Sequence, residues 1–255
     1  MTLKTVPKVA LVTGASHRLG RAMALALAQD GFAVAAHYSQ SQSAAQNLAD
    51  EIRALGGLCE VFQADLRLEG QMQALVPAVT DRMGAVGVLI NNAAQFERDE
   101  ALTADRAGWD LHMETNFRAP FVLCQHMATL LPAGANGVIV NLLDQRVWNL
   151  TPHFTTYTLS KVGLWTLTQT LALALAPKIR VAGIGPGPAL PSVRQSPEQF
   201  ARQAARTPLK ISTTPEEIVA ALRFILASQT YTGQMIALDG GQHLDWAPGG
   251  IPSEE

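Results

Sequence analysis

Short apolar runs alternate with longer stretches of helical period along almost the whole chain, and that alternation leaves few folds open. The runs are Val9–Val12, Ala33–His37, Cys59–Gln63, Val86–Asn91, Val138–Leu142, Arg180–Ile184 and Met235–Leu238. Helical period occupies Leu19–Gln29, Ser43–Leu55, Gln71–Met83, Trp109–Leu131, Thr155–Ala176 and Pro215–Ser228. A helix between successive strands returns the chain to the same end of the sheet, so the strands pair in parallel through right-handed crossovers. Both faces of such a sheet are then covered by helices. The pattern predicts a single α/β domain over residues 1–255, a doubly wound parallel sheet of about seven strands in three αβα layers. The tail 248–255 is expected to fray. Gly185–Pro191 reads as a loop at a strand's carboxyl end, the edge where open sheets bind ligands.

Composition supports a large core and removes several function classes. Of 255 residues, 48% are hydrophobic and 16% charged, which argues against disorder. A formal net charge of −2 with no basic block gives no reason to expect nucleic acid as a partner. No apolar run reaches the roughly 20 residues of a membrane span, and no signal-peptide pattern opens the chain. Cys59 and Cys124 lack metal-ligand spacing and read as buried reduced thiols. His112, His126 and His243 have no ligand-like spacing either, so no metal is assigned. The expected setting is the cytoplasm, with a small molecule as substrate.

The first strand runs into Thr13-Gly14-Ala15-Ser16-His17-Arg18-Leu19-Gly20 and then into an Ala/Leu-rich helix. Gly14 at the tight turn and Gly20 at the helix start let backbone N–H groups and the helix dipole approach a pyrophosphate, with His17 and Leu19 alongside. This is the dinucleotide-binding arrangement of a Rossmann-type sheet. At the end of the second strand an NAD-selective fold places an acid for the ribose hydroxyls. Here the chain reads His37-Tyr38-Ser39-Gln40-Ser41, with no carboxylate before Asp50. Hydroxyls at Ser39 and Ser41, with the Arg18 guanidinium nearby, suit a 2′-phosphate, so the expected cofactor is NADP(H). Asp65 and Leu66 after strand three fall where an adenine amino group could donate to the carboxylate. Asn92 and Ala93 after strand four let a cofactor lie against the backbone.

Tyr157 and Lys161 form a Tyr-x-x-x-Lys pair at the head of the helix after strand five, on one helix face. An ammonium beside a phenol favours the phenolate and readies it for proton exchange. Upstream, Asp144 follows the run Val138-Ile139-Val140-Asn141-Leu142-Leu143, and Asn116 lies inside the preceding long helix, where it could hold a proton-relay water.

From Thr13 to about Gly241 the chain resembles the short-chain dehydrogenase/reductase family. The matching segments are the Thr13–Gly20 turn, Asp65, Asn91–Ala93, Asn116, Tyr157/Lys161, Gly185-Pro186-Gly187 and Asp239-Gly240-Gly241. The resemblance implies Tyr157 as proton donor, Lys161 on the nicotinamide ribose, Asn116 supporting a relay water, and Pro186 and Gly187 against the cofactor. It also implies a homotetramer. Ser is the family's usual residue where this chain has Asp144. That departure, with Arg18 and His37-Tyr38, resembles the pteridine reductase branch. There an aromatic residue after the Asn-Ala turn stacks over the pterin, and Phe96 matches it. The substrate-binding set implied is Arg18, Phe96, Asp144 and Tyr157, and the reaction is hydride transfer from NADPH to a dihydropterin. Reduction of a C=N bond needs a hydride at carbon and a proton at nitrogen, and a carboxylate at Asp144 suits a ring rich in N–H donors. Two departures concern the cofactor edge: Pro188-Ala189-Leu190-Pro191 lacks the usual Thr, and Ala94 offers no hydroxyl. An NADPH-dependent carbonyl reductase and a catalytically silent NADP-binding sensor stand as alternatives. Trp148, His153 and Phe154 flank the site loop as candidates for the pocket wall.

Overall fold

The computed structural model describes residues 6–191 and 195–244. Seven parallel strands form one sheet in the order β3-β2-β1-β4-β5-β6-β7, namely β1 Val9–Val12, β2 Ala33–Tyr38, β3 Cys59–Gln63, β4 Val86–Asn91, β5 Gly137–Leu142, β6 Ile179–Pro186 and β7 Met235–Leu238. The helices are α1 Arg18–Gln29, α2 Gln42–Ala54, α3 Glu69–Met83, α4 Arg106–Met113, α5 Ala119–Leu130, α6 Thr155–Ala174, α7 Pro197–Ala205 and α8 Pro215–Ala227. The expected single α/β Rossmann-type sheet in three layers is the fold observed.

Strand periodicity decides the layers. Ala10 and Val12 point to one face, Leu11 to the other, and all three are fully buried. The first face packs on Leu27 of α1, Ile52 of α2 and Leu222 of α8. The second packs on Val76 of α3, Leu123 of α5 and Leu171 of α6. Truncating one of these, such as Leu123→Ala, removes packing worth about 2–5 kcal/mol. Strand order reverses between β2 and β4 on either side of β1, which opens a crevice at the carboxyl ends of β1 and β4.

The sequence boundaries shift in three places. The long helix expected over Trp109–Leu131 is α4 and α5 joined by a wide π-type turn at Glu114–Arg118, which carries Asn116. The loop expected from Gly185 begins two residues later, because Gly185 and Pro186 still pair with Ala237 and Leu238 of β7. Helix α7 was not expected: it is only nine residues long and none of them is buried. Its signal was the capping box, Ser196 accepting from the Gln199 N–H while the Gln199 side chain accepts from Ser196 N–H, followed by Pro at the first turn. The tail 248–255 lies outside the described residues.

Candidate active site

The turn after β1 is built by reciprocal bonds between the ends of β1 and β4. Thr13 Oγ1 accepts the backbone N–H of Asn92 at 2.9 Å and of Ala93 at 3.0 Å, and the Asn92 side chain donates to the carbonyls of Thr13 and Gly14. Gly14 has φ +62°, in the left-handed region that favours glycine. Its N–H donates to His37 Nδ1 at 3.1 Å, and His37 Nε2 lies 3.0 Å from the Ala64 carbonyl. A ring nitrogen that accepts from an N–H carries no proton, so the imidazole is neutral with Nε2 as donor. Burial pushes its pKa down to about 4, which keeps it so. His37 thus pins the turn to the end of β3.

Gly14, His17, Leu19, Gly20, Asp65, Leu66, Asn92 and Ala93 line a cavity of about 380 Å³ at this crevice, with His37 and Ser39 on its wall. Thr115 Oγ1 at this cavity and Ser16 Oγ at its neighbour are buried and have no hydrogen-bond partner among the described residues. A neighbouring cavity of about 420 Å³ is lined by Ser16, His17, Tyr38, Ser39, Ser41 and Arg67. Arg67 was missing from the sequence-based set. It is held by Asp65, whose carboxylate accepts from Arg67 Nε and Nη2. Hydrogen bonding to Arg67 holds the Asp65 carboxyl below its ordinary range.

Arg18 lines the crevice beside Ser39 and also the neighbouring cavity that holds Tyr157. Its φ is +54°, and its guanidinium donates to the carbonyls of Pro191 at 2.6 Å and Leu190 at 3.0 Å. That ties the phosphate turn to the loop after β6, on the side of a third cavity. Arg18, Phe96, Asp144, Tyr157, Lys161, Pro186 and Gly187 line this third space of about 270 Å³, with Gln195, Gln203 and Gln242 at its outer wall. Gly187 is required there, because a Cβ would sit 2.7 Å from Asp239 Cα. Trp148, His153 and Phe154 are not among its described lining residues. Trp148 packs edge-on against Trp165 and His243, His153 pairs with Glu100, and Phe154 is buried.

At the heart of the third cavity Tyr157 Oη donates to Asp144 Oδ2 at 2.9 Å. The other oxygen of Asp144 accepts from the Arg146 backbone N–H at 2.8 Å, so both are positioned. Lys161 Nζ, one turn further along α6, donates to the Leu142 carbonyl at 2.8 Å and lies 5.8 Å from the Tyr157 ring centroid. Burial pulls the lysine down to about 8, against the opposing pull of the Asp144 charge. Phe96 stacks on Phe154 with centroids 4.4 Å apart and planes 3° apart, and meets Tyr157 edge-on at 4.6 Å. One face of the Phe96 ring is therefore taken by Phe154. Buried Arg146, also absent from the sequence-based set, places its guanidinium 4.7 Å from the Phe154 ring and 5.4 Å from Phe96.

Asn116 fastens the segment before Phe96 to the turn that carries it. Its Oδ1 accepts from Gln95 N–H at 2.7 Å, and its Nδ2 donates to the Gln95 carbonyl at 2.9 Å and to Ser160 Oγ at 3.0 Å. The fully buried side chain thereby holds Gln95, the residue before Phe96, and Ser160 of α6 together.

The chain is similar to crystal structures of FolM alternative dihydrofolate reductase 1 from Brucella canis and Brucella suis, each complexed with NADP. Both are 44% identical, with TM-scores of 0.93 and 0.92, covering 98% of this chain and 99% and 100% of theirs. It also resembles the 3-oxoacyl-[acyl-carrier-protein] reductase FabG of Staphylococcus epidermidis, 29% identical over 93% of this chain and 99% of that protein. The short chain dehydrogenase family model matches residues 8–201. The chain belongs to the short chain dehydrogenase family.

Proposed function

We propose that the protein is an NADPH-dependent reductase of dihydropterins, of the dihydrobiopterin, dihydromonapterin or dihydrofolate type. The observation that carries this reading is the 2.9 Å bond from the Tyr157 phenol to Asp144 in a cavity walled by Phe96. The two FolM structures complexed with NADP support the cofactor. So do the residues at the turn: a glycine cradle at Gly14 and Gly20, hydroxyls at Ser16 and Thr115 without a partner among the described residues, and Ser39 and Ser41 after β2 sharing a cavity with Arg67.

Bound NADPH supplies the hydride. Gly14, His17, Leu19 and Gly20 hold the pyrophosphate end, Ser39 and Ser41 with Arg67 receive the 2′-phosphate, and Asn92, Ala93, Pro186 and Gly187 bound the remainder. Asp144 accepts N–H groups of the pterin ring and orients it, and Tyr157 delivers the proton to the ring nitrogen as carbon receives the hydride. Lys161 stabilises the phenolate left behind. A neutral serine at position 144 polarises a ketone oxygen but offers the pterin no charged acceptor, which is why Asp144 favours the pterin over the ketone.

NADPH oxidation against a panel of dihydropterins, dihydrofolate, 3-oxoacyl thioesters and simple ketones tests the reading. Turnover of a dihydropterin is expected; turnover of ketones with none on any pterin overturns it in favour of the carbonyl reductase that the FabG likeness suggests. Loss of turnover with retained NADPH binding in Tyr157→Phe disposes of the sensor alternative. Copies of the chain are expected to pair into a homotetramer through exposed apolar residues such as Trp109, Leu159 and Leu173, measurable by light scattering. Among the described residues no helix is long and apolar enough to cross a membrane.

A further inference from the structure

A buried polar chain that the chemistry above does not use runs from α4 to the head of α6. His112 on α4 is fully buried. Its Nε2 accepts the Glu97 backbone N–H at 3.0 Å, so that nitrogen carries no proton. Nδ1 must then be the N–H and donates to Thr156 Oγ1, 2.7 Å away. Thr156 Oγ1 in turn donates to Asp99 Oδ2. Only one tautomer of the neutral ring, with the proton on Nδ1, satisfies these bonds.

The same carboxylate caps the catalytic helix from outside. Phe154 precedes α6 in a left-handed conformation, φ +59°, and offers no side-chain cap. Asp99 Oδ1 accepts the Thr156 N–H at 3.2 Å instead, and the Asp99 carbonyl accepts the Phe154 N–H at 2.8 Å. Phe96 is thus held on both sides: Gln95 by Asn116 and Glu97 by His112. Tyr157 is the residue after Thr156, and its ring lies 5.9 Å from the His112 ring.

We propose that His112, Thr156 and Asp99 are a positioning unit that fixes the Tyr157 phenol relative to Phe96 and Asp144. None of the three lines the described cavity, so they act through Tyr157 and Phe96 rather than on substrate. The inference rests on the reading of Tyr157 as proton donor. It carries a pH signature. Protonating His112 puts an N–H against the Glu97 N–H and breaks the tether. The groups facing the ring are Glu97 and Asp99, whose charges favour the cation, and Lys161, whose charge opposes it. Burial outweighs them and lowers its pKa.

The test uses Thr156→Val, Thr156→Ser and His112→Gln in the full chain, with kcat and KM measured on whichever substrate the panel shows to be turned over. A ketone result there would sink the pterin reading and leave this test intact. Thr156→Val keeps the shape and loses the hydroxyl, and is expected to lower kcat about tenfold or more with NADPH affinity unchanged, by the scale of one misplaced proton-transfer contact. Thr156→Ser should recover most of that loss. His112→Gln keeps an acceptor for Glu97 but loses the Nδ1 donor and the titrating ring, so kcat falls and its decline toward acid flattens. A Thr156→Val enzyme with kcat within about twofold of the parent, or a loss that Thr156→Ser fails to recover, overturns the proposal. So does an acid limb unchanged in His112→Gln.

Discussion

Tyr157 donates its phenolic proton to Asp144 across 2.9 Å, from the third residue of α6 to the loop after β5. On the proposed reading Tyr157 is the proton donor and Asp144 the group that selects a pterin over a ketone. Asp144→Ser should lower dihydropterin turnover by about 10²–10⁴-fold, the range for a lost acid–base partner, with NADPH affinity intact. Steady-state NADPH oxidation and a fluorescence titration of NADPH measure the two arms. A variant retaining full pterin turnover removes Asp144 from the chemistry.

Lys161 gives the basic side of the pH profile. Its pKa is lowered to about 8, so the lysine is a cation below that pH and neutral above it. If the cation is what stabilises the Tyr157 phenolate, kcat declines as pH rises through about 8. A kcat profile that stays level to about pH 10, near the ordinary lysine value, removes the charge from the mechanism.

His37 ties stability to pH on the acid side. Its folded pKa of about 4 lies below the ordinary 6.5, so the unfolded chain binds the proton more readily. Stability is fully present above 6.5 and drains as pH falls from there toward 4, at up to about 1.4 kcal/mol per pH unit. Melting curves of the protein and of His37→Gln over that window should diverge, with the variant less pH-sensitive. Parallel curves would mean the imidazole is not the group responsible.

Cofactor choice should reside at the end of β2 rather than at Arg18. Ser39→Asp introduces the acid that an NAD-selective sheet uses and repels a 2′-phosphate. It is expected to reduce the NADPH to NADH preference, read as a ratio of kcat/KM, by at least about tenfold, or 1.4 kcal/mol. Arg18→Ala, whose guanidinium holds Leu190 and Pro191, should instead raise the substrate KM and change that ratio little. A collapse of NADPH selectivity in Arg18→Ala would return the 2′-phosphate to Arg18.

What the sequence determined by itself is what local pattern and residue chemistry encode. The strand and helix periods wrote out seven strands and a parallel sheet, and the turn from Thr13 to Gly20 and the Tyr157/Lys161 spacing marked its carboxyl edge as the site. Helix α7 and the π-type turn at Asn116 escaped because one is short and buries none of its residues, and the other interrupts a helix whose period runs through it. Tertiary structure alone decided where the polar side chains point. Arg18 meets carbonyls 173 and 172 residues away, His112 meets Thr156 across 44, and Asp99 caps a helix 57 residues on. Such partners are set by how the crossovers bring loops together at one sheet edge, and burial then chooses the tautomer and charge of each group. A one-dimensional pattern can say which residues are able to bond; the packed edge determines with whom.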